Sequence, residues 1–404
     1  MKYWNKSKKG DWLILGYIGG SNTGDDAMLQ GLLLELGPDY SSKLAIFSRN
    51  KILSPALIQL GYKVFPFNFW TLISQLIRSD GIIQVGGTIF HDSYPSKKRT
   101  KYLLNLSLWS IIFAISHILG KKILLVGVGV GPLFSPIAKA ISAFGLRACH
   151  MVTLRDQASM LEVRNWIPEN RLAKTFDLAA LLQPSPSSIQ NRNNRKNTLI
   201  PNQSILGISI LSFSIVSPHS GNPDFNFFDF FTNELIDYLD ENPKVQIRIF
   251  VFWAAPDREN DIIPSMELMN ILEKHAPGRT KIISYNTDPS VTLAKISECR
   301  GFISTRYHAA VLAYIAGCNF LAVLYHRKLE DFMSEIKLSN DASISPYKIY
   351  KKTEIKNKIQ SLMYGDESFE PKVNINDAIN EARKNVVILK DFITDTPKIS
   401  LDRG

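Results

Sequence analysis

Twice along this chain, short apolar runs alternate with segments of helical periodicity, and a polar stretch separates the two series. The first series has strand-like runs at Trp12–Tyr17, Lys43–Ser48, Gly61–Pro66, Gly81–Val85, Ile123–Val130 and Met151–Leu154. Helical patterns fall between them at Asp25–Leu36, Leu103–Leu119 and Pro136–Cys149. The second series has runs at Ile205–Leu211, Val245–Trp253, Thr280–Ser284, Gly301–Ser304 and Phe320–Leu324. Its helical patterns are Phe227–Leu239, Ile263–Lys274, Val291–Glu298 and Arg306–Ala316, with a last amphipathic helix at Ile375–Phe392. Such alternation implies βαβ units and parallel sheets. Residues 183–203, rich in Pro, Ser and Asn, read as a linker.

The expected fold is therefore α/β, with two Rossmann-like, doubly wound parallel-sheet domains facing a cleft. The expected division is residues 1–182, a linker at 183–204, a second domain at 205–350, and a basic segment with a helix at 351–404. Open parallel sheets bind ligands at the carboxyl ends of their strands, so those ends should line the cleft. A length of 404 residues agrees with two domains, since a domain usually holds roughly 100–200.

A hydrophobic fraction of 45% and a charged fraction of 21% exclude a disordered or fibrous chain. The net charge of +10 favours anionic partners. Two lysine clusters, Lys2/Lys6/Lys8/Lys9 and Lys348/Lys351/Lys352/Lys356/Lys358, are solvated surface or points of peripheral attraction to an anionic membrane. Basic residues interleaved with aromatics are absent from the sequence, so a nucleic-acid partner is not expected. Cys149, Cys299 and Cys318 offer no disulfide framework, and the polar N-terminus has no signal-peptide pattern; both fit a cytoplasmic location. The acid-free and Lys/Arg-free stretch from Tyr102 to Gly120 contains Asn105, Ser107, Ser110, Ser116 and His117. It is expected to be a buried helix feeding a strand.

Five glycine- or charge-bearing strand ends carry the functional signal. Gly16–Asp26 (GYIGGSNTGDD) follows a strand and opens a helix, placing Gly19, Gly20, Asn22, Gly24 and Asp25 at a ligand-facing edge. It is neither a Walker A loop nor a dinucleotide fingerprint, and Asp25 and Asp26 would compete with an anion at the helix start. Gly86, Gly87 and Thr88 end another strand, and Gly127, Gly129 and Gly131 punctuate a third. Arg155, at Thr153-Leu154-Arg155-Asp156, is either a ligand-facing arginine or half of a buried ion pair. Asp177 is suited to capping or orienting.

The fifth segment is the most informative. In Ser304-Thr305-Arg306-Tyr307-His308 a strand gives way to an apolar helix. An arginine at that point holds a carboxylate or phosphate through paired hydrogen bonds. A histidine in the same turn serves as general acid or base near neutral pH. Tyr325, His326 and Lys328 follow the next strand and should border the same edge; His91 is a second-tier candidate. The sequence presents no metal-ligand motif, so neither a metal nor a cofactor is expected.

The ordered set GYIGGSNTGDDAML, GGTIFHD, GVGVGPL, TLRDQAS, FDLAALL and STRYHAAVLAYIAGC resembles the polysaccharide pyruvyl transferase family, from about Leu13 to Leu324. Thr305-Arg306-Tyr307-His308 stands where the family often has Met-Arg-Leu-His, and Gly86-Gly87-Thr88 replaces its triple glycine. The resemblance implies a GT-B-like architecture, with the acceptor on the N-terminal side and the donor on the C-terminal side. It implies transfer of the enolpyruvyl group of phosphoenolpyruvate to two hydroxyls of one sugar, giving a pyruvate ketal and phosphate. Arg306, His308 and Arg155 match family motif residues. The implied partners are phosphoenolpyruvate and a saccharide acceptor, lipid-linked or free. Three alternatives stay open: a GT-B glycosyltransferase with a nucleotide-sugar donor, a dinucleotide-dependent reductase, and a non-catalytic member of a glycan-assembly complex.

Overall fold

The computed structural model describes residues 11–50, 53–92, 96–182, 204–211, 226–256 and 260–394. The chain packs as two units. The first gathers the described residues of Met1–Gly20, Ala27–Leu182 and Asn376–Gly404; the second gathers those of Ser21–Asp26 and Gln183–Ile375. This differs from a simple linear division in two places. Six residues of the glycine-rich segment, Ser21–Asp26, belong with the second unit, and the C-terminal helix belongs with the first. The linker at 183–203 and the cluster at Lys2–Lys9 lie outside the described residues.

The first unit is built on strands β1 (Trp12–Leu15), β2 (Leu44–Ser48), β3 (Lys63–Pro66), β4 (Gly81–Val85), β5 (Lys122–Val128), β6 (Met151–Leu154) and β7 (Leu172–Lys174). They form one parallel sheet in the order β3-β2-β1-β4-β5-β6-β7. Five of these strands are buried along most or all of their length, which is why they read as continuous apolar runs. The chain reverses its direction of growth between β1 and β4, the switch point at which doubly wound sheets open to ligands. The helices of this unit are α1 (Thr23–Leu36), α2 (Pro55–Gln59), α3 (Phe69–Arg78), α4 (Ser96–Ile118), α5 (Pro136–Arg147) and α6 (Gln157–Val163).

One core joins α3, α4, α5 and α6 to the sheet through Leu72, Leu76, Leu106, Trp109, Phe113, Ala138, Leu146 and Val163. The expectation of a buried helix at Tyr102–Gly120 is corrected here. Leu106, Trp109 and Phe113 pack on the sheet, whereas Leu104, Leu108, Ile111, Ile115 and Ile118 are exposed. The two sets lie on opposite faces at helical spacing, so α4 is apolar all round but covered on one side only. By length and composition Thr100–Ile118 could cross a membrane, and among the described residues it is the one such helix.

The last helix of the chain runs over Ile375–Thr394, and its docking rests on one buried amide. Asn385 is fully buried: its Oδ1 accepts from the hydroxyls of Thr153 and Thr175, and its Nδ2 donates to the carbonyls of Phe176 and Ala382. Phe392 packs against Trp12, with ring centroids 5.4 Å apart.

The second unit repeats the plan with β8 (Ser204–Ser209), β9 (Val245–Phe250), β10 (Thr280–Ile283), β11 (Gly301–Ser304), β12 (Asn319–Val323) and β13 (Ser343–Ile344). Its parallel order is β10-β9-β8-β11-β12-β13, with the switch point between β8 and β11. Helices α7 (Phe227–Glu241), α8 (Ile262–His275), α9 (Pro289–Ser297), α10 (Tyr307–Ile315), α11 (Arg327–Glu335) and α12 (Glu354–Tyr364) belong to it. The Lys348–Lys358 cluster is partly neutralised locally. Lys348 pairs with Glu354 at 3.0 Å, Lys356 pairs with Glu241, and Lys358 donates to the Asp341 carbonyl.

Replacing Asn385 by alanine removes the acceptor of two buried threonine hydroxyls and one donor to the Phe176 carbonyl. The expected loss is about 1–3 kcal/mol of unfolding free energy, read from urea denaturation of the first unit. An unchanged midpoint would show that α13, the helix Ile375–Thr394, docks by its apolar face alone.

Candidate functional site

The β8/β11 switch point organises the second unit's site. Ser209 ends β8, and its carbonyl accepts from both the backbone and the hydroxyl of Thr305, just past β11. Ser304 Oγ donates to the Arg306 carbonyl at 2.8 Å, fixing the turn into α10. Arg306 is the N-cap residue of α10, and its side chain makes no capping bond. The Arg306 carbonyl accepts from the N–H groups of Ala309 and Ala310, both at 3.1 Å, which starts the helix; the positive end of a helix dipole favours an anion.

Sequence reasoning did not find the partner that holds Arg306. Asp261, wholly buried, receives the Nε of Arg306 at 3.0 Å and also its Nη2. The same carboxylate accepts from the backbone N–H groups of Phe252 and Trp253 at 3.1 and 3.0 Å. Burial pushes the Asp261 carboxyl up, and the Arg306 charge together with these hydrogen bonds opposes that shift. The guanidinium also lies 5.2 Å from the centre of the Trp253 ring. Its side chain keeps 19% exposure, so it is oriented without being sealed in. Nothing in the local sequence around Asp261 marks it, because it is 45 residues away and meets Arg306 only through the fold.

The glycine-rich segment comes to the same place. Ser21–Thr23 pairs with residues 252–254: Thr23 N–H donates to the Phe252 carbonyl, and Ala254 N–H donates to that of Ser21, both at 2.9 Å. Asn22 Oδ1 accepts from Gly24 N–H at 3.0 Å, starting α1. Gly24 is glycine for a specific reason: a Cβ there would lie 2.0 Å from His308 Nδ1. The imidazole thus occupies the space a side chain would need.

Asp25 and Asp26 sit in the first turn of α1. Asp26 Oδ2 accepts from the Tyr285 hydroxyl at 2.6 Å. Burial raises its pKa from the ordinary 3.8 to about 7, with the Tyr285 bond opposing and the Asp25 charge adding. Among the described residues, the buried hydroxyls of Thr23 and Ser209 and the Trp253 indole N–H have no hydrogen-bond partner. All three belong to the β8/β11 turn and the 21–23/252–254 pairing just described.

Tyr325, His326 and Lys328 follow β12, the neighbour of β11, at the carboxyl edge of the same sheet. His326 caps α11 by accepting from Lys328 N–H at 3.2 Å. Burial, with help from Lys328, lowers its pKa to about 4, so it is neutral at physiological pH.

In the first unit the remaining motif residues converge on Arg155. Its side chain is 3% exposed and bonded to Asp156 and Asp177, each at 3.3 Å, and to Thr88 Oγ1 at 3.2 Å. Of the two readings open for Arg155, the buried ion pair is the one observed. Asp156 and Asp177 also cap the helical turns that follow them. A Cβ at Gly129 would lie 3.0 Å from Arg155 Nε, so that glycine makes room for the guanidinium. Gly86 accommodates Met28, Gly20 accommodates the Tyr17 ring, and Gly19 accommodates Ser48. Gly87 has a left-handed backbone (φ 74°) with open space around it. His91 lies against Tyr102, with ring centroids 5.4 Å apart. Among the described residues no group of three or more His, Cys, Asp or Glu side chains is arranged to hold a metal.

Two doubly wound parallel sheets, with an arginine and a histidine at a switch-point helix start, define a GT-B-like protein. The model of the polysaccharide pyruvyl transferase family matches residues 22–327, and the chain belongs to that family of transferases. Similar solved structures include Anabaena HepE in complex with UDP-glucose, at 15% identity and TM-score 0.54, covering 95% of this chain and 98% of that one. They also include the UDP-GlcNAc 2-epimerase of Neisseria meningitidis bound to UDP-GlcNAc, at 11% identity and TM-score 0.56, covering 95% and 99%. The corresponding enzyme of Methanocaldococcus jannaschii has 11% identity and TM-score 0.57, covering 94% and 99%. At these identities the likeness is one of fold. No curated protein sequence matches the chain.

The raised Asp26 pKa makes a signed prediction. Between about pH 4 and 7 the folded protein keeps a proton on Asp26 that the unfolded chain has released. This group therefore lowers stability as pH rises through that window, and adds no further change above it. Asp26→Asn removes the effect, so the variant should gain stability relative to the parent from pH 4 to 7 and hold a constant difference above. Denaturation curves that stay parallel across the window would contradict the assignment.

Proposed function

We propose that this protein transfers the enolpyruvyl group of phosphoenolpyruvate to a sugar of a cell-surface polysaccharide or its precursor. The observation that carries the reading is the start of α10. There an oriented guanidinium, a helix N-terminus and an imidazole suit a small donor with a carboxylate and a phosphate. Family membership supplies the reaction class and the saccharide acceptor.

In this scheme Arg306, held by Asp261, binds one anionic group of the donor, and the amides of α10 support it. Lys328 is the second basic contact; Arg155 is engaged within the first unit and is better suited to holding its strand ends together. Protonation of the donor's methylene carbon makes the adjacent carbon electrophilic. One sugar hydroxyl adds there and gives up its proton, phosphate leaves with the C–O bond electrons and takes up a proton, and a second hydroxyl closes the ketal while losing its proton to restore the donor group. His308 is the proton-transfer group. Asp26, which holds a proton near neutral pH, is a second proton carrier on the segment that His308 touches. Phosphoenolpyruvate is a cytoplasmic metabolite, so the reaction belongs on that side of the membrane.

The fold likeness to proteins solved with UDP-sugars keeps a nucleotide-sugar donor as the competing reading. The two separate in one assay. The protein is incubated with a panel of hexose and N-acetylhexosamine glycosides and either phosphoenolpyruvate or UDP-glucose. The proposal expects phosphate release with the first donor and no UDP release with the second, and a loss of about 10²–10⁴-fold in rate for His308→Ala. UDP release, or near-normal phosphate release by the variant, would overturn it.

A further inference from the structure

The outer side of the α3–α4–α5 layer has a composition that neither the fold nor the transfer reaction requires. On α4, Leu104, Leu108, Ile111, Ile115 and Ile118 are 67, 50, 48, 50 and 81% exposed and form one continuous stripe. Exposed apolar residues also occur on α3 and α5. On α3, Trp70 is 79% exposed and points away from the core residues Leu72 and Leu76. On α5, Phe144 is 55% exposed. The helices are adjacent: Lys121, just past α4, donates to the carbonyls of Ile77 and Ser79 at the end of α3. Ser110 of α4 donates to the Ile141 carbonyl of α5 at 3.0 Å. A contiguous apolar surface of this kind marks an interaction site, because leaving it in water has a cost.

Charge identifies what covers it. The three helices contain 10, 23 and 12 residues, and none is Asp or Glu. Their basic residues are Arg78, Lys97, Lys98, Arg99, Lys101, Lys139 and Arg147. Arg78, Lys101 and Arg147 are exposed at the margins of the stripe; Lys139, also exposed, is shared with Glu162 at 3.7 Å. The chain as a whole has 37 acidic residues in 404, so their absence from a 45-residue layer is pronounced. An apolar strip on helices that carry basic but no acidic residues is the composition of a helix lying in the interface of an anionic bilayer. A second copy of the chain would bring two such basic margins together at the cost of like-charge repulsion. The inner face of α4 is committed to the core, so only its outer stripe is left to meet a bilayer.

We propose that the α3–α4–α5 face docks this protein on an anionic lipid surface, with the α4 stripe entering the acyl boundary and the basic margin meeting lipid headgroups. The proposal is independent of the donor, since binding to lipid needs no phosphoenolpyruvate. It also differs from attraction by the Lys348–Lys358 cluster, in which Lys348 and Lys356 already have carboxylate partners.

The test is sedimentation of the purified chain with phosphatidylglycerol–phosphatidylcholine vesicles against phosphatidylcholine alone. The expected result is binding to the anionic vesicles, reduced about tenfold or more per residue by Ile111→Glu and Ile115→Glu, and unchanged by Lys351→Glu with Lys352→Glu. In the unsubstituted chain, brominated-acyl phosphatidylglycerol should quench the emission that is lost in Trp70→Phe, a readout that does not depend on how the glutamate variants fold. Absence of vesicle binding, binding unaffected by the stripe substitutions, or absence of Trp70 quenching would overturn the proposal. So would a lipid-free dimer that Ile111→Glu dissociates.

Discussion

The imidazole of His308 rests on the Cα of Gly24, and the second unit's site is arranged around that contact. A single Cβ at residue 24 would fall inside the ring. The contact brings the first turn of α1 to the first turn of α10, so a segment near the N-terminus and a helix 284 positions later share one location. Pairing of Ser21–Thr23 with residues 252–254 sets the approach, and the Arg306–Asp261 bond sets the side chain that flanks it. The glycine-rich segment and the Arg306–His308 segment are therefore one structural object.

The molecule uses buried charge in two ways. In the first unit, Arg155 is enclosed by Asp156, Asp177 and Thr88 and ties three strand ends together. Breaking such a cluster strands a charge in a dry site, so these residues have a structural reason to persist whatever the substrate. In the second unit, Asp261 is just as buried but its partner is not: Arg306 remains partly exposed. A carboxylate that anchors one edge of a guanidinium restrains its rotamers in advance of binding, which lowers the entropic cost of holding an anion.

The fold was legible because both sheets are parallel and buried. Continuous apolar runs located β4, β6 and β11 to the residue, and the repeated alternation with helices gave the two doubly wound sheets. The short elements α2, α6 and β7 have no expected counterpart, since one or two turns or three residues carry too little periodicity. Arg306, His308 and Gly24 stood out by residue type at a strand end. Asp261 and Tyr285 did not, because a long-range carboxylate or phenol has no local signature. Division into units also escaped a linear reading: Ser21–Asp26 and the C-terminal helix leave their sequence neighbours through backbone pairing and through the amide of Asn385. The apolar run in α4 was read as buried because composition does not say which face a helix will cover.

A double-mutant cycle between Gly24→Ala and His308→Ala, read as phosphoenolpyruvate-dependent phosphate release, tests the shared contact most directly. If the imidazole acts from the position it holds over Gly24, the alanine at 24 displaces it, and the double variant is no slower than the slower single variant. Rate losses that simply multiply would mean that the two residues act separately, and that the contact between the two helix starts is not the centre of this site.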